Sequence, residues 1–210
     1  MSDLKTITET LISGDGDALM VQVKEALDQG IPAGEILSDG LIAGMDIVGE
    51  RMETGEMFIP EVLMSAQAMG EAVEILKPLL AEGETSTAGR VVIGTVKGDL
   101  HDIGKNLVVM MMESAGFEVT DLGVDVDADA FMKAIEELNP HIVGLSALLT
   151  TTMPAMRDTV SKIAEAGKKD AIKIMVGGAP VNQAFADEIG ADAYASDAGS
   201  ACKLAKAMLK

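Results

Sequence analysis

Tryptophan is absent from this chain, tyrosine occurs once and phenylalanine four times, so few rings are available to stack on nucleobases. Basic residues are scarce as well: 16 Lys and Arg stand against 34 Asp and Glu, a net charge of −18. Affinity for nucleic acid comes largely from neutralised phosphates, so no nucleic-acid partner is expected. A single cysteine, Cys202, excludes an internal disulfide, and its place in an apolar periodicity near the end of the chain predicts a packed thiol. Although 48% of the residues are apolar, no run is both long and uncharged enough to span a bilayer. The start, MSDLKTITET, also lacks a basic segment followed by an apolar one. A cytoplasmic protein without a membrane partner is the expectation.

What is present falls into two halves. Residues 1–88 hold 17 Asp and Glu against 4 Lys and Arg, a net of −13, whereas residues 89–210 hold 17 against 12, a net of −5. Solubility is the ordinary reason for such acidity, and selection of partners is the other. From Asp3 to about Leu80 the apolar residues recur at helical spacing, with breaks at SGDGD (13–17), GIPAG (30–34) and MFIP (57–60). This pattern predicts a four-helix bundle domain over 1–80, with Asp15 or Asp17 near the cap of the second helix and the fourth starting around Pro60. Met57, Met64 and Met69 are expected in its core. The small polar stretch AEGETSTAG (81–89) reads as a linker.

Beyond it the rhythm changes. RVVIGTV, FEVTDLG, HIVGLSAL, AIKIMVGG and ADAYAS are short β-rich or apolar runs, each followed by a helical segment. Five strands alternating with helices predict an α/β domain over 90–210, a flavodoxin-like (Rossmann-like) doubly wound parallel sheet whose ligands lie beyond the carboxyl ends of the strands. The loop after the first strand reads V-K-G-D-L-H-D-I-G-K-N, so Asp99, His101 and Asp102 stand where such folds keep their sites. A lone loop histidine is most often solvated or a capping residue. Asp99, however, precedes His101 by two residues, a spacing that lets a carboxylate bond one ring nitrogen while the other faces a metal. One histidine is too few ligands for a protein-built zinc or iron site, so a cofactor would have to supply the remaining positions. His141, at the start of the third strand, lies at the opposite end of the sheet and is read as structural.

Three elements in order, D-L-H-D-I-G (99–104), S-A-L (146–148) and G-G (177 and 178), separated by 41 and 28 residues, resemble the signature of cobalamin-binding domains. The resemblance implies a cobalamin or related corrinoid whose own base has left the cobalt. His101 then serves as the metal ligand, Asp99 as the partner that orients it and Thr152, where the family has serine, as a hydroxyl extending the pair. It further implies cofactor contacts from Gly98, Asp102, Ile103, Gly104, Ser146, Leu148, Thr150, Gly177 and Gly178, with Ser146 and the two glycines receiving the nucleotide tail. The run M-D-I-V-G-E-R-M-E-T-G-E-M-F-I-P-E-V-L-M-S-A (45–66) is similar to the helical cap that precedes this domain in methionine synthase and in small corrinoid proteins, with Met52 where such caps often have phenylalanine. Phe58 would then sit over the cofactor's upper face, and ordinary core packing is its other reading.

By this resemblance the chain is a corrinoid carrier that shuttles a methyl group on cobalt. Its partners would be a substrate-specific methyltransferase, an acceptor methyltransferase acting on a folate or thiol, and a corrinoid-reactivating protein. The cap would swing about the 81–89 linker to admit them. Two alternatives remain open: a cobalamin-dependent sensor or regulator, and a flavodoxin-like binding domain without a corrinoid.

Overall fold

The computed structural model describes residues 3–80 and 88–209. Backbone contacts divide the chain near residue 88 into two compact units. Most of the expected linker, residues 81–87, lies outside the described residues.

The first unit is helical. α1 (Leu4–Ser13) and α2 (Gly16–Asp28) both start on aspartates: Asp3 accepts from the Thr6 N–H at 2.8 Å and Asp15 from the Ala18 N–H at 3.1 Å. Each bond satisfies one of the donors that a helix start leaves unpaired. The third expected helix is a continuous run of three kinds: α3 (Ala33–Glu35), a π-helical stretch Ile36–Ile42 and α4 (Ala43–Glu53). α5 (Ile59–Leu76) has Pro60 in its first turn and Glu61 reaching back to the Phe58 N–H at 2.9 Å, and it ends in a 3-10 turn, Lys77–Leu79. Ile7, Leu11, Leu19, Val23, Ile36, Leu41, Val48, Val62 and Leu76 are fully buried. A Cβ at Gly44 would come within 2.8 Å of Leu11 Cδ2, so the bare glycine is what lets α1 and α4 approach. Met57 and Met69 join the core, but Met64 does not: it is 55% exposed, a correction to the expectation above. It lies against Gly14 in the α1–α2 turn, a residue with no side chain to cover it.

The second unit alternates strictly: β1 (Arg90–Thr95), α6 (Ile103–Ser114), β2 (Glu118–Asp121), α7 (Ala128–Leu138), β3 (Ile142–Ser146), α8 (Met153–Glu165), β4 (Lys173–Gly177), α9 (Gln183–Ile189), β5 (Ala193–Ala195) and α10 (Ala198–Met208). The strands are all parallel in the order β2-β1-β3-β4-β5. Val92, Val143, Leu145, Ile174 and Val176 are buried in a common core with α7 and α8, which explains the near-continuous apolar strands. Cys202 is buried on α10. His141 precedes β3, and its Nδ1 accepts the Arg90 N–H at 2.9 Å, a structural role at the amino end of the sheet.

This strand order fixes where a site can form. The chain leaves β1 toward β2 on one side and later returns to β3 on the other, so the loops after β1 and β3 diverge at a switch point, where doubly wound sheets bind ligands.

Candidate functional site

β1 and β3 end side by side, with Thr95 opposite Ser146, and Ser146 is in turn opposite Gly177 of β4. Three short strands thus deliver the three motif elements to one edge. The segment leaving β1 is pinned along its length. The Val96 N–H donates to the Ser146 carbonyl at 3.0 Å. Gly98, at φ +84°, donates its N–H to Asp125 Oδ1 at 2.8 Å, and the Asp125 N–H donates to the Asp99 carbonyl at 3.0 Å. The buried Thr95 hydroxyl donates to the His101 carbonyl at 2.9 Å.

Asp99 is the centre of the arrangement. Its side chain is wholly buried and accepts from five donors. Oδ1 takes the His101 backbone N–H at 3.1 Å and lies 2.7 Å from His101 Nδ1. Oδ2 takes the Leu148 and Leu149 N–H groups at 2.8 and 3.2 Å and the Thr152 hydroxyl at 2.7 Å. Burial alone would raise its pKa, but the bonds from Thr152, His101 and Leu148 outweigh it and hold the carboxyl well below the usual carboxylate range. An ionised carboxylate has no proton to give, so Nδ1 must carry the hydrogen of that 2.7 Å bond. The lone pair of a neutral ring is then on Nε2, which makes no hydrogen bond among the described residues. Half of the His101 side chain is exposed, and with its tautomer set by a buried anion the ring keeps Nε2 as a nitrogen able to ligate a metal.

The other predicted residues are distributed around this pair. Thr152, 6% exposed, precedes α8 with its hydroxyl also 2.9 Å from the Leu149 carbonyl, so its one hydrogen is shared between that oxygen and Asp99, and threonine keeps the expected hydrogen bond. Asp102, Ile103 and Gly104 lead into α6 on the exposed side, and Thr150 is exposed after β3. Ser146 is half-buried, and its hydroxyl makes no hydrogen bond among the described residues. The two expected tail glycines differ in cause. A Cβ at Gly178, at φ +120°, would fall 1.9 Å from the Ala147 carbonyl oxygen, so the protein's own backbone demands glycine there; at Gly177 it would lie 3.1 Å from the Ala195 oxygen. Gly104 is the reverse case, because beyond its chain neighbours and its own helix backbone no protein atom lies within 4 Å of where its Cβ would be. Glycine costs about 1 kcal/mol in a helix, and nothing in the protein's packing asks for it in this first turn. Space left open beside His101 fits the close approach of a bulky ligand. Phe58, expected over the cofactor, is 68% exposed at the start of α5 in the helical unit.

Large apolar side chains that remain exposed in the second unit collect at the same end. Leu100 (71%), Ile103 (82%), Leu148 and Leu149 flank the Asp99–His101 pair in sequence or hydrogen bonding, and Val124 lies in the loop after β2. Only Leu138, on α7, stands apart from these loops among the described residues. A rim of aliphatic groups around one outward imidazole nitrogen suits a broad, largely apolar disc with a metal at its middle. No group of three or more His, Cys, Asp or Glu among the described residues could hold a metal ion by itself. Residues that sequence reasoning did not single out are Thr95 and Asp125, whose bonds shape the histidine loop.

Comparison with known proteins agrees with this chemistry. A family model described as a B12 binding domain matches residues 89–203, and a second with the same description matches residues 4–77. Dimethylamine corrinoid protein 1 of Methanosarcina acetivorans is 45% identical over 207 residues, 98% of this chain and 97% of its own. A corrinoid protein of Desulfitobacterium hafniense is 40% identical, covering 100% of this chain and 98% of its own. Among solved structures, a cobalamin-binding protein from Desulfitobacterium hafniense superposes with a TM-score of 0.85 at 34% identity, with 99% of both chains covered. The methanol:cobalamin methyltransferase complex from Methanosarcina barkeri contains a chain that matches with a TM-score of 0.82 at 34% identity, covering 97% of this chain and 78% of that one. No helix among the described residues is long and apolar enough to cross a membrane.

Proposed function

The chain belongs to the corrinoid proteins built from B12-binding domains, and from that premise we propose that it carries a methyl group on a corrinoid between two methyltransferases. The observation that carries the reading is the outward Nε2 of His101, backed through Nδ1 by an ionised, buried Asp99. His101 would be the metal ligand from the protein. Gly98, Asp102, Ile103, Gly104, Leu148 and Thr150 would line the macrocycle, and Ser146, Gly177 and Gly178 the nucleotide tail. Phe58 would serve the upper face. Residues 1–80 would act as a cap, 81–89 as its linker and 90–210 as the corrinoid-binding domain.

When bound, the corrinoid supplies a cobalt atom that can accept a methyl cation equivalent and release it again. The protein's share is to place one ring nitrogen. Nδ1–H of His101 is committed to Asp99, so Nε2 is the ring nitrogen that would hold the metal. Thr152 and the Leu148 and Leu149 N–H groups keep the carboxylate in place.

One methyltransferase would load the methyl group, and a second would pass it to a folate or thiol, with a reactivating protein restoring the carrier after oxidation. The relatives named for dimethylamine make that amine the first donor to try. The test is reconstitution with hydroxocobalamin followed by methylation and mixing with candidate methyltransferases. The expected result is a bound corrinoid with imidazole on the metal, a signature lost in His101→Ala, and demethylation that depends on the acceptor enzyme. A corrinoid that keeps its own benzimidazole on cobalt, or none bound at all, overturns the reading.

A further inference from the structure

Among the described residues, two charged side chains are buried, and they stand on either side of the histidine loop. Asp99 lies before His101, and Lys105, 3% exposed, follows it in the first turn of α6. The Asp99 network accounts for the ring. Lys105 has no part in it. Its ammonium donates to Asp121 Oδ2 at the end of β2 and to Asn106 Oδ1 at 2.7 Å, and the Asn106 amide donates to Asp102 Oδ2 at 3.2 Å. Asp121 is itself fixed, because its Oδ1 takes the Gly123 N–H at 2.9 Å and the Gly123 carbonyl takes the Thr95 N–H at 2.9 Å. A chain of polar contacts therefore runs from β2, through the ammonium, to the residue next to His101.

A hydrophobic side chain of similar volume would fill this position without the cost of desolvating an ammonium, so packing alone does not explain a lysine here. Buried ion pairs are best used to set register. The register at stake is that of α6 against the sheet. α6 begins two residues after His101, so any slide or rotation of its first turn moves the imidazole directly. Asp99 restrains the ring and the His101 N–H, and Thr95 holds the His101 carbonyl, but neither reaches Asp102 or the first turn of α6.

We infer that Lys105 is a positioning residue whose ion pair with Asp121 holds α6, and through Asn106 and Asp102 the exit of the histidine loop, so that His101 Nε2 is presented at a fixed place. The inference rests on the proposed role of His101 as the corrinoid ligand. Its test has one arm that needs no cofactor. In apoprotein the imidazole and backbone N–H signals of His101 are followed by NMR, assigned by their loss in His101→Ala. In wild type both are expected to be sharp and slow to exchange. Lys105→Met keeps the volume and removes the charge, and it should broaden or lose both signals while the far-ultraviolet circular dichroism stays native. In the hydroxocobalamin-loaded protein the same variant should bind about tenfold more weakly and show a smaller fraction with imidazole on cobalt.

Should Lys105→Met not fold, Asp121→Asn removes the same charge pairing at a residue whose side chain is 32% exposed, and the same loss of signals is expected. Asn106→Ala leaves the Lys105–Asp121 pair but removes both the Lys105 acceptor and the link to Asp102, and it should broaden the backbone N–H signal. Folded variants with a lowered urea midpoint but unchanged His101 signals and unchanged cobalt–imidazole fraction would reduce Lys105 to a structural residue and overturn the inference. If wild type fails to take up corrinoid, the carrier reading falls, and the NMR arm still decides whether Lys105 positions the histidine.

Discussion

The two units bury polar groups in opposite ways. Within α1–α5 of the helical unit Ser65 is the one polar side chain among the described residues that is buried, and it donates a 3.3 Å bond to the Ile12 carbonyl. In the α/β unit Asp99, Lys105, Thr95, Thr152 and Thr159 are all buried, and the first four converge on the loop that carries His101. An apolar core tolerates small rearrangements, whereas a desolvated ion with five donors has one arrangement that satisfies it. The first unit is thus built for cohesion and the second for the placement of one nitrogen atom.

Substitutions can break that contrast or sharpen it. The largest effect is expected at Gly178→Ala, where a methyl group would overlap the Ala147 carbonyl at a φ that side chains avoid. Loss of about 4 kcal/mol or failure to fold should appear in urea unfolding, with corrinoid binding lost too. Asp99→Asn should come next, at roughly 3 kcal/mol, since it removes the charge that five donors address. Its pH dependence has a definite sign. A carboxyl held low in the native state stabilises it above the unfolded value of about 4, so the gap between wild type and Asp99→Asn apoprotein should persist at neutral pH and close as the pH falls below that value.

Thr152→Val should cost about 1–2 kcal/mol by the loss of one bond to an ionised group, and the spectrum of the loaded protein should show less imidazole on the metal. Ser65→Ala, the matching deletion in the helical unit, should cost within about 1 kcal/mol because its single bond is long, and corrinoid binding should be unchanged. If Ser65→Ala proved as costly as Thr152→Val, the contrast between cohesion and placement would be wrong.

Much of this was legible beforehand. The strands, their parallel arrangement and the Asp99–His101 pair followed from apolar runs and from a two-residue spacing that is local in sequence. What escaped notice depends on strand order. Asp125 bonds Gly98, and Lys105 bonds Asp121, because β2 lies beside β1, and the sequence around 121–126 carries no mark of that proximity. Thr95 looked like the last residue of a strand, and its hydroxyl found a partner only once the loop doubled back. Met64 matched the helical period but faced a glycine turn. Met57 and Met69, on the same period, are buried as that period predicts.

The widened turn at Ile36–Ile42 has a consequence for how the first unit can vary in length. A π turn holds one residue more than an α turn spanning the same axial distance. Deleting a single position there would restore ordinary i to i+4 bonding while Met45 and Val48 kept their inward orientation. The long third helix therefore carries a spare residue, a length tolerance that the tightly braced histidine loop of the other unit does not share.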